Sequence, residues 1–200
     1  DESLREFVKS TQSPIHPVRF MKELEALLPA KSHIVVEPSV GSIFSAAYIK
    51  QREQGRLFLS NYSNGALGYA LPAAIGAAVA HPDHTIIALG GDGSFHFNCG
   101  ELETNNNVFG WIKGETAHVY RSDFFATDFG VVDYAGVARA FGVKAYKLDD
   151  PAKITETLKE AIEYQGPVLI ELRVPDESQL VPPVPRWIPN AVEKDIPYCY

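Results

Sequence analysis

Short apolar runs rich in β-branched residues alternate with stretches of helical periodicity along most of this chain, and that alternation limits the fold more than any other feature. From His16 to Leu28 the residues Val18, Met21, Leu24, Leu27 and Leu28 recur at three- and four-residue steps until Pro29 stops the pattern, which predicts an amphipathic helix. His33-Ile-Val-Val-Glu37 then reads as a buried strand. The pattern repeats: helix from Gly41 to Ile49, strand Leu57 to Leu59, alanine-rich helix from Gly68 to Ala80, strand Thr85 to Leu89. Helix from Asp133 to Phe141, strand Lys144 to Lys147, helix from Ile154 to Tyr164 and strand Val168 to Leu172 complete the series. Strands separated by helices demand crossover connections, so the expected fold is α/β, a doubly wound and mostly parallel sheet with helices on both faces.

The flanks lack this rhythm. Residues 1–14 are polar and without period and read as a linker; residues 15–174 form the folded domain; residues 175–200, with six prolines from Pro175 onward, read as an ordered C-terminal arm. The first residue is Asp1 rather than methionine, so a piece of a longer polypeptide is expected.

Composition excludes several classes. A net charge of -7 and the absence of clustered Lys and Arg argue against a nucleic-acid partner, because phosphate backbones need grouped cations. No run approaches the roughly eighteen apolar residues of a membrane span, and DESLREFVKS lacks the layout of a signal peptide, so the expected location is the cytoplasm, away from membranes. Cys99 and Cys199 sit in unrelated contexts and suggest no disulfide framework. The six histidines are scattered, and none has the spacing of a metal pair on one helix face.

The chemistry concentrates after the strand that ends at Leu89. In an open parallel sheet ligands bind beyond the carboxyl ends of the strands. Gly90-Gly91-Asp92-Gly93-Ser94 lets the backbone approach a ligand, and the amides of a following helix start favour an anion such as a diphosphate. Asp92 would repel that anion unless a cation lies between them. Magnesium resolves the conflict, and Asn105-Asn106-Asn107 supplies neutral oxygen donors for its shell.

Gly91-Asp92-Gly93-Ser94 followed by Asn105-Asn106 resembles the signature of thiamine-diphosphate enzymes. Asn64-Gly65-Ala66-Leu67-Gly68-Tyr69-Ala70-Leu71-Pro72-Ala73-Ala74-Ile75-Gly76 resembles the opening of the cofactor domain in the group of acetolactate synthase, pyruvate decarboxylase and benzoylformate decarboxylase. The likeness extends from about His16 to Val174. It implies a magnesium ion held by Asp92, by the side chain of Asn106 and by the backbone carbonyl of Val108. Gly91, Gly93 and Ser94 would contact the diphosphate, with Ser39, Gly41 and Ser42 as further contacts on a weaker local match. Leu67 would wedge between the two rings of the cofactor, the carbonyl of Gly65 would accept from the aminopyrimidine, and Ala66, Phe109 and Gly110 would complete the cofactor surface. The bent cofactor brings its 4'-imino group beside the thiazolium C2, where an internal base removes the C2 proton.

No catalytic side chain is assigned within the chain itself, because in the family the activating glutamate belongs to a pyrimidine-binding domain of a neighbouring subunit. That domain, from another chain or a missing N-terminal part, and assembly as a homodimer or homotetramer are therefore expected. The activity implied is decarboxylation of a 2-oxo acid with carboligation, as in acetolactate synthase; simple 2-oxo-acid or aroylformate decarboxylation is the alternative. FAD is possible on a domain outside this chain. A thiamine-binding subunit of a 2-oxo-acid oxidoreductase would call for iron-sulfur cysteines, which two unclustered cysteines do not supply, and a non-catalytic assembly subunit would not need Asp92, Asn106 and Leu67 intact.

One spacing departs from the pattern. Only eleven residues, Ser94 to Thr104, separate the Gly-Asp-Gly turn from the asparagines, whereas a crossover with its helix needs about a dozen or more before the next strand. The expected apolar strand is absent, which predicts a missing segment between Thr104 and Asn105; the alternative is a chain that lacks this central strand, in which Asn106 could not reach the ion at Asp92 in the family manner. Of the remaining residues near the turn, His96 reads as a packed or solvent-facing group, Cys99 as a small buried apolar residue, Glu37 as a structural hydrogen-bond acceptor or a cleft residue, and Trp111 and Ile112 as substrate-facing or sheet-covering.

Overall fold

The computed structural model describes residues 2–50, 57–95, 103–105, 110–117, 123–125, 127, 128, 130–176, 179, 180 and 183. Its α-helices are α1 (Pro17–Leu27), α2 (Val40–Tyr48), α3 (Ala70–Ala80), α4 (Asp92–Phe95), α5 (Gly110–Glu115), α6 (Tyr134–Ala140) and α7 (Ile154–Glu163). Its strands are β1 (Ser32–Val36), β2 (Leu57–Ser60), β3 (Thr85–Gly91), β4 (Glu103–Asn105), β5 (Lys144–Leu148) and β6 (Val168–Arg173). They form one six-stranded sheet in the order β2-β1-β3-β4-β6-β5, and every neighbouring pair runs parallel.

Alternation along the strands sends side chains to two cores. Ile34, Val36, Leu89, Ile170 and Leu172 join Val18, Phe20, Met21, Leu24, Phe44, Ile154 and Leu158 in the larger one, which places α1, α2 and α7 on one face. Val35 and Ala88 face the opposite way, against Ala70 and Ala74 of α3, while Leu169 meets Tyr134, Ala135 and Ala138 of α6. Small alanines let α3 lie close to the sheet. Phe95, in the short helix after β3, packs edge to face on the fully buried Tyr134 at 5.1 Å between ring centres.

Two segments differ from the sequence reading. Glu2–Lys9, read as linker, forms a 3-10 helix whose Phe7 and Val8 pack against the larger core, with the Phe7 ring stacked on His16 at 4.1 Å. Glu103, Thr104 and Asn105, where no strand was expected, form a short central strand, paired with β3 through Gly90↔Glu103 and Gly91↔Thr104 and with β6 through Glu103↔Glu171, Thr104↔Leu172 and Asn105↔Arg173. Propensity could not reveal it, because three polar residues carry neither apolar character nor a period. The ladders on both sides define it instead.

Candidate functional site

The strand order reverses at β1 and β3. From β1 the chain winds outward through α2 to β2, then returns past β1 to β3 and continues the other way through β4. Loops leaving β1 and β3 diverge at such a switch point and open a crevice at the carboxyl edge of the sheet. Ser39 follows β1 on one side, and Gly91 ends β3 on the other. The two loops touch: a Cβ built on Gly91 would lie 3.4 Å from the Cβ of Ser39.

On the β1 side, Ser39 caps α2. Its Oγ accepts the N–H of Ser42 at 3.2 Å, and the Ser42 Oγ accepts the N–H of Ser39 at 3.1 Å, a reciprocal capping box that fixes the helix entry. Gly41 and Ser42 are buried, and the Ser42 hydroxyl also bonds the Tyr62 hydroxyl. That bond ties the start of α2 to the turn after β2. In this turn the N–H groups of Asn64 and Gly65 reach the Asn61 carbonyl at 3.1 Å, and the Asn61 side-chain amide donates to the Ala66 carbonyl at 2.7 Å. Gly65 and Gly68 take φ values of 61° and 77°, a left-handed region in which a Cβ would be strained. Between them Leu67 stands 40% exposed, an apolar side chain presented outward rather than packed.

On the β3 side, Asp92, Gly93 and Ser94 are all buried at the start of α4. Asp92 is only 3% exposed, and its Oδ1 accepts the N–H of Gly93 at 2.9 Å. Gly91, the residue before Asp92, pairs with Thr104, the residue before Asn105, while Asn105 itself is still paired with Arg173 of β6. The structure thus brings Ser39, Gly41, Ser42, Gly91, Asp92, Gly93 and Ser94 to the neighbouring carboxyl ends of β1 and β3, and the Ser42–Tyr62 bond ties the start of α2 to the turn that carries Gly65, Ala66 and Leu67. Asn106, Val108 and Phe109 lie outside the described residues, as do His96 and Cys99; Gly110 begins α5.

The donor set suits a diphosphate approached through a divalent cation. A buried carboxylate supplies formal charge for a hard ion, and the N-terminus of α2 turns backbone N–H groups toward an anion. Glu37, the other carboxylate near the crevice, is committed elsewhere. Buried at the end of β1, its Oε2 accepts the N–H groups of Tyr69 at 2.7 Å and Ala70 at 3.0 Å. Glu171 on β6 does the same for α6, accepting from Ala135 at 3.0 Å. α5 is anchored by Lys113, whose ammonium reaches Asp128 and Asp176 at 2.7 Å, leaving Ile112 exposed.

A family profile described as thiamine pyrophosphate enzyme, C-terminal TPP binding domain, matches residues 39–172. The chain belongs to this family. Its thiamine-pyrophosphate relatives include a probable acetolactate synthase large subunit from Methanococcus aeolicus, 33% identical over 191 residues that cover 85% of this chain and 32% of that protein. The acetolactate synthase of Bacillus subtilis is 29% identical over 174 residues, covering 80% of this chain and 30% of its own length. Among solved structures, the Rhodococcus jostii thiamine diphosphate-dependent 4-hydroxybenzoylformate decarboxylase has the same fold, with a TM-score of 0.75 at 24% identity, covering 85% of this chain and 34% of that one. The chain therefore spans about a third of the length of the curated relatives it matches. An aligned stretch of 191 residues that covers 85% of a 200-residue chain also means that the Methanococcus protein carries residues inside the matched region that this chain lacks.

Around this thiamine-pyrophosphate domain, sequence reasoning gave Glu37 as a structural acceptor or a cleft residue without its partners, and missed a histidine cluster. Glu37 offered a signal, a carboxylate closing a buried strand, but its partners lie in a distant helix. His33, His81 and His84 converge at the opposite edge of the sheet, and only the His81-x-x-His84 spacing hinted at it.

Proposed function

We propose that this chain supplies the diphosphate-binding half of a thiamine-diphosphate- and magnesium-dependent enzyme that decarboxylates a 2-oxo acid and joins the product to a second carbonyl compound, as acetolactate synthase does. The observation that carries the reading is the buried Asp92 immediately after β3, at the switch point where β1 and β3 are neighbours. Asp92 would hold the cation with the side chain of Asn106 and the carbonyl of Val108. The backbone around Gly91, Gly93 and Ser94, together with the start of α2 at Ser39, Gly41 and Ser42, would receive the diphosphate oxygens. Leu67 would support the bent shape, with Gly65, Ala66, Phe109 and Gly110 lining the remainder. When bound, the cofactor supplies an electron sink for the carbon that loses carbon dioxide. The exposed Leu67 supports completion of the site by a pyrimidine-binding domain, in a homodimer or homotetramer. The acetolactate synthase relatives favour carboligation over simple decarboxylation.

Calorimetric titration of thiamine diphosphate into the chain tests the first part. Saturable heat that requires Mg2+ and disappears in Asp92→Ala is expected; binding indifferent to both would overturn the assignment. With the complementary pyrimidine-binding domain present and pyruvate as probe, acetolactate is the expected product, and free aldehyde alone would replace carboligation with decarboxylation.

The crossover from β3 to β4 supports a further reading, that a segment belongs between Thr104 and Asn105. Eleven residues, 92–102, separate β3 from β4, fewer than the dozen or more that a parallel crossover ordinarily takes, and the matched region of the Methanococcus relative is longer than its counterpart here. Sequencing the transcript across these codons decides it: an inserted segment of helix-and-strand character is expected, and uninterrupted codons would remove the idea.

A further inference from the structure

His33, His81 and His84 meet at the amino edge of the sheet, away from the cofactor crevice. His33 is the second residue of β1 and is buried; His81 is the C-cap of α3, its N–H donating to the Ala77 carbonyl at 2.8 Å; His84 immediately precedes β3. Pairing of Ser32 with Thr85 brings the starts of β1 and β3 together. The three rings lie 4.6, 4.5 and 5.0 Å apart between centres, and one ring nitrogen from each falls within 4.8 Å of the others.

Two of the rings are oriented as metal-ligating imidazoles are. The Nδ1 of His33 lies 3.0 Å from the Ser32 carbonyl, and the Nδ1 of His84 lies 2.9 Å from Asp83 Oδ1. A carbonyl and a carboxylate only accept, so each bond puts a proton on Nδ1, and in the neutral ring the lone pair is then on Nε2. An imidazole whose other nitrogen donates to a carboxylate or backbone carbonyl is the usual outer-shell pattern of histidine metal sites.

We propose that His33, His81 and His84 form a three-histidine site for a late first-row divalent cation such as Zn2+, tying the start of β1 to the turn between α3 and β3. Imidazole nitrogens suit such ions, whereas Mg2+ prefers oxygen, so the site is chemically distinct from the one at Asp92. It is also spatially distinct: His33 and Glu37 stand at opposite ends of β1, about 13 Å apart at 3.3 Å per residue. Zn–N bonds of about 2.0–2.1 Å require closer nitrogens than the present spread, a contraction that small rotations of His81 and His84 in their turn can provide. Both rings are only partly buried, which leaves the fourth position to water. Lys31 pairs with Asp83 through Oδ2, so the oxygen that orients His84 is separate from the one that meets the ammonium.

Tag-free chain, stripped with chelator, is titrated with Co2+ as a spectroscopic probe and with Zn2+ as competitor. One equivalent of Co2+ with visible d–d bands, displaced by Zn2+, is expected, together with a rise in thermal midpoint with Zn2+ but not with Mg2+. His81→Ala and His84→Gln, both in an accessible turn, should abolish the bands and the Zn2+-dependent rise, and Asp83→Asn should weaken affinity by about tenfold. The proposal fails if no bands form, or if both His81→Ala and His84→Gln bind Co2+ as the parent does. Because none of these readouts involves thiamine diphosphate, failure here is independent of the Asp92 assignment.

Discussion

The Glu37 carboxylate accepts the backbone N–H of Tyr69 at 2.7 Å, thirty-two residues along the chain. Helix α3 has no side-chain cap of its own at Tyr69, so a strand residue performs that duty and also opposes the positive end of the helix. Replacement by alanine leaves one buried and one part-buried N–H group, of Ala70 and Tyr69, without their acceptor. Glu37→Ala is expected to cost about 2–3 kcal/mol, and Glu37→Gln, which keeps an acceptor oxygen, about 1 kcal/mol. Urea unfolding of the two variants measures this; equal, near-zero losses would show that the helix start does not depend on the carboxylate.

Leu67 is exposed in the turn held by Asn61, so its side chain contributes little to folding. Leu67→Ala should leave unfolding free energy within about 0.5 kcal/mol of the parent. If the side chain supports the cofactor, losing that apolar contact of about 1.5–3 kcal/mol lowers affinity for thiamine diphosphate roughly ten- to hundredfold. The contrast between unchanged denaturation and weakened calorimetric binding is the diagnostic, and affinity equal to the parent's would remove Leu67 from the site.

Ile75 and Val79 lie one helical turn apart on α3 and are 57% and 79% exposed, while Ala70, Ala74 and Ala77 of the same helix face inward. An apolar ridge of this kind fits the subunit boundary that the proposed function requires. The double variant Ile75→Glu, Val79→Glu should shift sedimentation from the assembled species toward monomer with little change in far-ultraviolet dichroism. Unchanged assembly would locate the boundary elsewhere.

His16 introduces an acid limit. Its Nδ1 accepts the N–H of Val18 at 3.2 Å at the start of α1, its ring lies between Phe7 and the edge of Phe44, and burial pushes its pKa from 6.5 down to about 4. Between these values the unfolded chain takes up a proton that the folded state excludes. Stability is therefore intact above about pH 6.5 and declines as the pH falls toward 4, by up to about 3 kcal/mol from this group. His16→Asn keeps an acceptor at the cap but cannot titrate there. Thermal midpoints measured from pH 7 to pH 4 should fall less steeply in the variant, and parallel curves would show that His16 carries none of the slope.

What the sequence by itself determined is local. Apolar periodicity marked α1, α2, α3, α6 and α7 and five of the six strands to within a residue or two, because the period of side-chain burial is written into consecutive residues. The turn after β3 could be read as an anion and cation site for the same reason: glycines and a carboxylate stand next to one another. Tertiary structure alone decided the rest. Polar Glu103–Asn105 became the central strand through ladders contributed by β3 and β6, Glu37 became the cap of a helix thirty-two residues away, and three scattered histidines came within 4.8 Å because β1 and β3 pair at their starts. Such relationships depend on the register between distant segments, and no local pattern encodes register.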